Sequence, residues 1–287
     1  MSLRTMNFHR TAKITGYSLL GLALTSALLF VYKPNAPIAE VHSLPAYSFY
    51  KSAILEEASS RNSSKDPDWW LDSGGRIYFH NGIAKTIQGA LFKDSLWHVA
   101  YKRTNPRDTD QGTHPQNIFR LTTKGTWMNF KEQAYFYITQ HNQSSSPYRN
   151  ESNGLFLFNR YQNSDNLYYT GIRVDGAAVI KKKQNGAYAT LAYVPGIFKG
   201  AYDRDASPNL IDKNTWIGLK SHVQTNLDGS VQIKLYMDKG KTGTWLLVAQ
   251  ALDIPGIHGS PITKAGYAGI RTDFMDVLFR GFHIEGI

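Results

Sequence analysis

The stretch TWIGLKSHVQTNLDGSVQIKLYMDKGKTGTWLLVA, residues 215–249, shows the pattern that decides the fold. In its middle, VQIKLYMD alternates polar and apolar side chains, and the apolar set is Val231, Ile233, Leu235 and Met237. Because successive side chains of a strand point to opposite faces, this alternation predicts a strand with one buried face. The run TWIGLKSHVQT repeats the pattern, and Asp228-Gly229 between the two runs can supply the positive φ values of a tight hairpin. The stretch therefore predicts an antiparallel β-hairpin.

The same alternation and the same turn chemistry extend over most of the chain. Asp175-Gly176 and Asn185-Gly186 also lie between two apolar-periodic runs, and no long amphipathic helix is indicated after residue 69. Many strands joined by short turns predict an all-β protein, an antiparallel two-sheet β-sandwich. Besides the two strands above, the predicted strands are 75–80, 84–91, 96–102, 117–122, 133–140, 154–161, 167–174, 177–183, 187–194, 244–250, 266–272 and 276–285.

Three segments resemble the strands of concanavalin A-like lectin/glucanase jelly rolls. They are residues 165–192, residues 215–249 and the Gly-rich segment 266–287, GYAGIRTDFMDVLFRGFHIEGI. The resemblance covers roughly residues 69–287 and implies a jelly-roll sandwich. It leaves the function open, because that fold carries lectins, glycan hydrolases, polysaccharide lyases and adhesion modules. It also implies that a structural calcium ion is possible, and no other cofactor is expected.

The N-terminal region predicts an anchor. Residues 1–13 form a basic stub with Arg4, Arg10 and Lys13, and residues 14–32 contain no charge. A run of 19 uncharged residues is long enough to cross a bilayer as a helix, and its basic flank predicts a cytoplasmic N-terminus. A signal peptide cleaved near Thr25-Ser26-Ala27 is the alternative, and the product would then be secreted. In either case we expect residues 33–68 to be a juxtamembrane linker and residues 69–287 to form a domain outside the cytoplasm.

Charge and cysteine content restrict the possible partners. The chain has no cysteine, which excludes disulfides and cysteine-based metal sites. After residue 33 it carries 28 basic and 22 acidic residues, an excess that favours anionic partners. No motif that reads a nucleic-acid groove is present, so no nucleic-acid partner is expected.

The pattern of carboxylates argues against a two-carboxylate hydrolase. Retaining glycan hydrolysis needs two carboxyl groups about 5 Å apart. The chain has six glutamates. None of them lies in the E-x-D-x-x-E spacing that is typical of the glucanase branch of the superfamily that the chain resembles. Asp273 and Asp276 are close in sequence, but they are expected to flank a turn.

A polar and aromatic strand face provides the candidate ligand site. EQAYFYITQHNQ, residues 132–143, places Gln133, Tyr135 and Tyr137 on one face. Arginines on other predicted strands, Arg120, Arg160 and Arg173, could neutralise an anionic glycan. We therefore expect a surface carbohydrate-binding or adhesion module. A polysaccharide lyase, which abstracts a proton next to a uronate carboxylate, is the alternative, and a purely structural envelope domain is the third hypothesis. For the strand face itself, the alternative interpretation is an ordinary solvated sheet face.

The stretch KDPDWWLDSGGRIYFHNG, residues 65–82, contains the candidate metal ligands Asp66, Asp68 and Asp72. Their spacing differs from that of an EF-hand, so they are weak candidates for calcium. The adjacent tryptophans must point to opposite faces of a strand. We expect one of them to fill the edge of the core where the chain enters the sandwich.

Overall fold

The computed structural model describes residues 47–287. The predicted basic stub 1–13, the apolar segment 14–32 and the first part of the 33–68 linker lie outside the described residues. Within residues 47–287, no helix is both long enough and apolar enough to span a membrane.

Two antiparallel sheets form the sandwich that the alternation predicts. The strands are β1 (Ala53–Glu56), β2 (Trp69–Ser73), β3 (Arg76–His80), β4 (Ile83–Thr86), β5 (Ile118–Trp127), β6 (Phe130–His141), β7 (Gly154–Asn163), β8 (Asn166–Arg173), β9 (Ala178–Gln184), β10 (Ala187–Val194), β11 (Trp216–Thr225), β12 (Val231–Lys239), β13 (Leu246–Asp253), β14 (Gly266–Asp273) and β15 (Met275–Gly286). The eight-stranded sheet has the order β1-β3-β4-β15-β6-β11-β12-β13, and the seven-stranded sheet has the order β10-β9-β8-β7-β14-β5-β2.

The core lies between the two sheets and follows the predicted alternation. Val231, Ile233 and Leu235 of β12 are fully buried there, while the intervening residues are partly exposed. Phe119 of the seven-stranded sheet stacks on Phe279 of the eight-stranded sheet, with 5.3 Å between ring centroids. Burial of such large rings on facing strands is the main contribution that holds the sheets together.

The last two strands occupy the middle of the two sheets. β14 lies between β7 and β5, and β15 lies between β4 and β6. Only Phe274, with a φ of 53°, separates the two strands. This left-handed residue turns the chain from one sheet to the other, so each sheet receives a central strand from a single continuous segment.

The sandwich begins before residue 69, which corrects the predicted boundary of the linker. β1 pairs with β3, and Phe49 and Leu55 are buried in the core. The linker prediction failed for residues 47–68 because the apolar side chains there are sparse and follow no regular period. As expected, one tryptophan fills the core edge: Trp69 is fully buried and packs edge-on against Phe282 at 4.8 Å.

One predicted strand is a helix. Residues Leu96–Thr104 form α1 in place of the predicted strand 96–102. His98 and Tyr101, three positions apart, are its buried residues, which matches a helical period better than a strand period. Lys102 and Arg103 lie in its last turn, where cations interact favourably with the helix dipole.

Buried polar groups fix the loop between β13 and β14. Lys182 Nζ lies 2.9 Å from Asp253 Oδ2, and both side chains are almost completely buried. The same ammonium group donates to the carbonyl oxygens of His258 and Ser260, at 2.9 and 2.7 Å. The Tyr168 hydroxyl donates to Asp253 as well. The loop is therefore attached to the interior by charged hydrogen bonds, which are stronger than neutral ones.

Candidate functional site

A groove runs over the outer face of the seven-stranded sheet. Its main cavity has a volume of about 410 Å³, and a smaller cavity of about 70 Å³ adjoins it. Arg120, Tyr169, Tyr188 and Arg271 line both cavities. We call this surface, with Lys181 in the larger cavity and Lys183 in the smaller one, the sheet groove.

Strand register brings the groove residues together. Arg271 of β14 is directly paired with Arg120 of β5, and Tyr169 of β8 with Lys181 of β9. Their chain neighbours Ile270 and Ile180 are fully buried in the core on the opposite face. The alternation that builds the core therefore also places these cationic and phenolic side chains side by side on the outer face.

The sheet groove has an excess of positive charge. Its two cavities are lined by four basic and two acidic side chains, and the acidic ones are Asp108 and Asp273. Asp273 is engaged by Arg271, with 2.9 Å between Oδ1 and Nε. Burial lowers the pKa of Lys181, and the nearby charges of Arg173 and Arg271 lower it further. An anion in the groove would meet this cluster of like charges and reduce their mutual repulsion.

Aromatic rings lie beside these cations. Tyr188 is 56% exposed, and Lys181 Nζ and Lys183 Nζ lie 5.6 and 5.0 Å from its ring centroid. Tyr169 meets Tyr188 edge-on at 6.3 Å, and the Arg271 guanidinium lies 5.9 Å from the Tyr169 ring. The groove thus offers both an exposed ring face for stacking and cations for anionic groups.

The groove provides little for proton abstraction. Burial raises the pKa of the Tyr169 hydroxyl above the ordinary value for tyrosine, which disfavours its use as a base. Of the described residues that line the two cavities, none is a histidine. The arrangement is suited to binding an anion and has no evident base for a lyase reaction.

The six candidate ligand residues do not form one site. Arg120 lies in the sheet groove, as described above. Arg173 lies on β8 of the same sheet but is outside the two cavities, where it pairs with Asp175 at 2.8 Å. Gln133, Tyr135 and Tyr137 lie on β6 in the other sheet, so they cannot act together with Arg120 on one ligand molecule of small size.

Arg160 is an internal residue, which corrects its expected place on a ligand-binding face. Its side chain is fully buried, and its φ of 52° marks an irregular position in β7. The guanidinium donates to the carbonyl oxygens of Met128 and Ile262, each at 2.7 Å, and to the Thr225 hydroxyl at 2.8 Å. The irregular position breaks the period-two alternation, so the predicted face of this residue was wrong.

The candidate metal ligands do not converge on one point, because Asp66 and Asp72 are each engaged by other groups. Asp66 Oδ1 accepts hydrogen bonds from the backbone N–H groups of Asp68 and Trp69, each at 3.0 Å, and its other oxygen pairs with Lys51. Asp72 faces Arg120, with 3.7 Å between Oδ2 and Nη1. Within residues 47–287, no group of three His, Cys, Asp or Glu side chains is placed to hold a metal ion. The structure thus gives Asp66 a role in the turn before β2.

Sequence reasoning missed Tyr169, Lys181, Tyr188 and Arg271. Each lies at an outward position of a strand that was predicted correctly, within LYYTGIR, AVIKKKQ, AYATLAYV or GYAGIRTD. The available signal was the alternation itself, which marks these side chains as outward. The missing information was which strands are neighbours in the seven-stranded sheet.

Comparisons with known proteins find similarity only at the level of solved structures. No family model matches the chain, and no curated protein matches it. The carbohydrate-binding module CBM66 from Bacillus subtilis is similar, with 18% identity, 61% of this chain and 85% of that chain covered, and a TM-score of 0.42. The marine PL-14 alginate lyase from Aplysia kurodai has 9% identity, with 83% and 100% covered and a TM-score of 0.39. The GH43 protein BlXynB from Bacillus licheniformis has 11% identity, with 84% of this chain and 39% of that chain covered and a TM-score of 0.44.

Proposed function

We propose that this protein is a carbohydrate-binding module that holds an anionic polysaccharide in the sheet groove. The observation that carries the proposal is the convergence of Arg120, Lys181, Lys183 and Arg271 around the tyrosines that line the two adjoining cavities of the sheet groove. Carboxylate or sulfate groups on a glycan would form charge-assisted hydrogen bonds with these side chains. The exposed ring of Tyr188 would stack on the apolar face of a sugar ring.

The remaining lining suits a polyhydroxylated ligand. Asn150, Ser152 and Asn153 line the larger cavity together with Lys181. Amide and hydroxyl groups of this kind hydrogen-bond sugar hydroxyls as donors and as acceptors. The combination of cations, an exposed aromatic ring and neutral polar groups favours an acidic glycan over a simple inorganic anion.

Binding is favoured over cleavage. The lyase alternative needs a base next to the neutralising cations, and the tyrosine between them has a raised pKa. The hydrolase alternative needs two free carboxyl groups, and Asp273 is already paired with Arg271.

We also propose that the module acts outside the cytoplasm. The support is the uncharged run at residues 14–32 with its basic flank, which fits an anchor or a cleaved signal peptide. Such a position would expose the sheet groove to the polysaccharides of a cell envelope or its surroundings.

The test is calorimetric binding of the full-length protein, in a non-ionic detergent, to alginate oligosaccharides and to neutral cello-oligosaccharides. We expect binding to alginate alone. Lys181→Gln and Tyr188→Ala should each weaken it about tenfold, as the loss of one charge-assisted or stacking contact implies. Lys93→Gln removes an exposed lysine outside the groove and serves as the matched control.

Two results would overturn the proposal. Equal affinity for neutral and acidic oligosaccharides would remove the role of the cations. A steady release of unsaturated sugar ends from alginate, dependent on protein concentration, would show a lyase instead of a binding module.

A further inference from the structure

A second cationic surface lies on the outer face of the eight-stranded sheet, opposite the sheet groove. His222 of β11 is paired in register with Lys131 of β6 on one side and with Lys234 of β12 on the other. Adjacent strands are about 4.8 Å apart, so three basic side chains stand in one row across three strands. We call Lys131, His222 and Lys234, with Lys220 next to them on β11, the basic strip.

The basic strip carries more positive than negative charge. Glu285, 3.5 Å from Lys131, is an exposed carboxylate at one end of the row. Among residues 47–287, neither Lys220 nor Lys234 makes an ion pair, and the charges of Glu285 and Asp238 act on Lys220 only from a greater distance. Burial lowers the pKa values of Lys220 and His222, and the charge of Lys131 lowers both further.

Aromatic side chains continue the strip along the same face. Trp245 lies over Gly218, where an added Cβ atom would come within 2.9 Å of its ring, and it packs against Tyr135 at 5.5 Å. Lys220 Nζ lies 4.1 Å from the Trp245 ring centroid. Asp238 accepts hydrogen bonds from the N–H groups of Thr242 and Gly243, which fixes the loop that carries the tryptophan.

A second aromatic pair lies next to Trp245 and Tyr135 on this face. Tyr137 and Trp216 pack together at 5.2 Å, and the Arg280 guanidinium lies 5.5 Å from the Trp216 ring. Both tryptophans are only partly exposed, and each packs against a tyrosine of β6. Rings held in this way can stack on a sugar, whereas insertion into a bilayer needs side chains that project outward.

We propose that the basic strip and the adjoining Trp216 and Trp245 form a second binding surface for an anionic glycan, so that one molecule joins two polysaccharide chains. The ligand class rests on the proposed function of the sheet groove. The charge complementarity of the strip is independent of it, because it concerns other strands and the opposite face. The two surfaces lie on the outer sides of two packed sheets, so a single short glycan segment cannot occupy both.

The test uses full-length protein, an alginate hexasaccharide and alginate polymer. Calorimetry should give two hexasaccharide sites for the unaltered protein. The double variant Lys131→Gln with Lys234→Gln should keep only the site in the sheet groove. The double variant Lys181→Gln with Tyr188→Ala should keep only the site on the basic strip. Light scattering of the polymer should rise with unaltered protein and fall at least tenfold for either double variant. Lys93→Gln should match the unaltered protein in both measurements.

The outcomes separate the two proposals. Two remaining sites and unchanged scattering in the strip variant would overturn the second surface and leave the groove proposal standing. Strip-dependent binding with no effect of the groove variant would reject the proposed function of the groove instead. Strip-dependent binding of phosphatidylserine vesicles or duplex DNA, without binding of alginate, would overturn the glycan as the ligand of the strip. The strip variant should also unfold at nearly the same temperature as the unaltered protein, because the one ion pair that it removes, Lys131 with Glu285, is exposed and contributes little to stability.

Discussion

The carboxyl group of Glu132 contacts the side-chain amide of Asn159 across the interior of the sandwich, with 2.7 Å between Oε1 and Nδ2. Glu132 lies on β6 of the eight-stranded sheet and Asn159 on β7 of the seven-stranded sheet. The other carboxyl oxygen accepts the backbone N–H of Gly269 at 3.2 Å. Among residues 47–287 no cation pairs with this carboxyl group, and burial raises the pKa of Glu132 well above its ordinary value. The group is therefore protonated in the folded protein under conditions where it ionises in the unfolded chain.

Glu132→Gln should stabilise the protein at neutral pH. A raised folded-state pKa stabilises the fold below the unfolded pKa of 4.5, and this contribution is lost as pH rises towards the folded value. Between the unfolded pKa and pH 7, this contribution to the free energy of unfolding falls by at most about 3 kcal/mol. Urea unfolding should thus show a gain for the variant at pH 7 and little change at pH 4. Glu285→Gln, at an exposed position, is the control, and equal destabilisation of Glu132→Gln at both pH values would contradict the argument.

Asp253→Ala should destabilise the protein strongly. It leaves the buried ammonium of Lys182 without its counter-ion and the Tyr168 hydroxyl without its acceptor. Removing one partner of a buried ion pair costs about 3 to 5 kcal/mol in the free energy of unfolding. Asp212→Ala removes the partly exposed partner of Lys239 and should cost less than about 1 kcal/mol. If urea titrations gave similar losses in the free energy of unfolding for Asp253→Ala and Asp212→Ala, burial would not make the Asp253 ion pair more important for stability.

Arg61→Lys should destabilise the protein nearly as much as Arg61→Ala. The Arg61 guanidinium lies between two rings, 3.4 Å from the centroid of Tyr267 and 4.3 Å from that of Trp70. Its planar shape allows both contacts at once, which a lysine ammonium cannot reproduce. We expect a loss of about 2 kcal/mol, as for a desolvated cation–π contact. Arg107→Ala, next to exposed Tyr148, is the comparison and should lose about half as much or less in chemical unfolding.

Alginate affinity should fall with rising pH before the ordinary lysine pKa of 10.5 is reached. Burial and the charges of Arg173 and Arg271 lower the pKa of Lys181, so its positive charge is lost earlier than in a free lysine. A bound carboxylate would raise that pKa again, so binding should take up protons in alkaline buffer. Calorimetry in buffers of different ionisation enthalpy measures this uptake. Lys181→Gln should abolish the uptake and Lys93→Gln should keep it; uptake that persists in Lys181→Gln would exclude Lys181 from the site.

Much of the fold follows from local patterns. The alternation in β12 correctly assigned Val231, Ile233 and Leu235 to the core, and the Asp228-Gly229 turn was correct, with a φ of 80° at Gly229. These features depend only on side chains and backbone geometry within a few residues. The helix at Leu96–Thr104 was missed because its buried positions, three apart, are too few to establish a helical period.

The candidate site depends on pairing between distant strands. Arg120 and Arg271 are direct neighbours in the sheet although 150 residues separate them in the chain. Alternation fixes the face of each strand but not its neighbour, so Arg120 was grouped with tyrosines that lie on the opposite sheet. The predicted face of Arg160 was wrong for a different reason. A residue with positive φ in a strand interrupts the alternation and reverses the expected face.

The central position of β14 and β15 has a consequence for biosynthesis. Until the ribosome has added residues 266–286, each sheet remains divided: β1, β3 and β4 cannot join β6, and β2 and β5 cannot join β7. The nascent chain therefore carries four unpaired strand edges that are paired in the finished sheets, on β4, β5, β6 and β7, beside a large apolar surface. Contacts between segments so far apart in sequence also form slowly. The domain must complete its folding after translation of this segment, and its earlier strands need protection from aggregation during that interval.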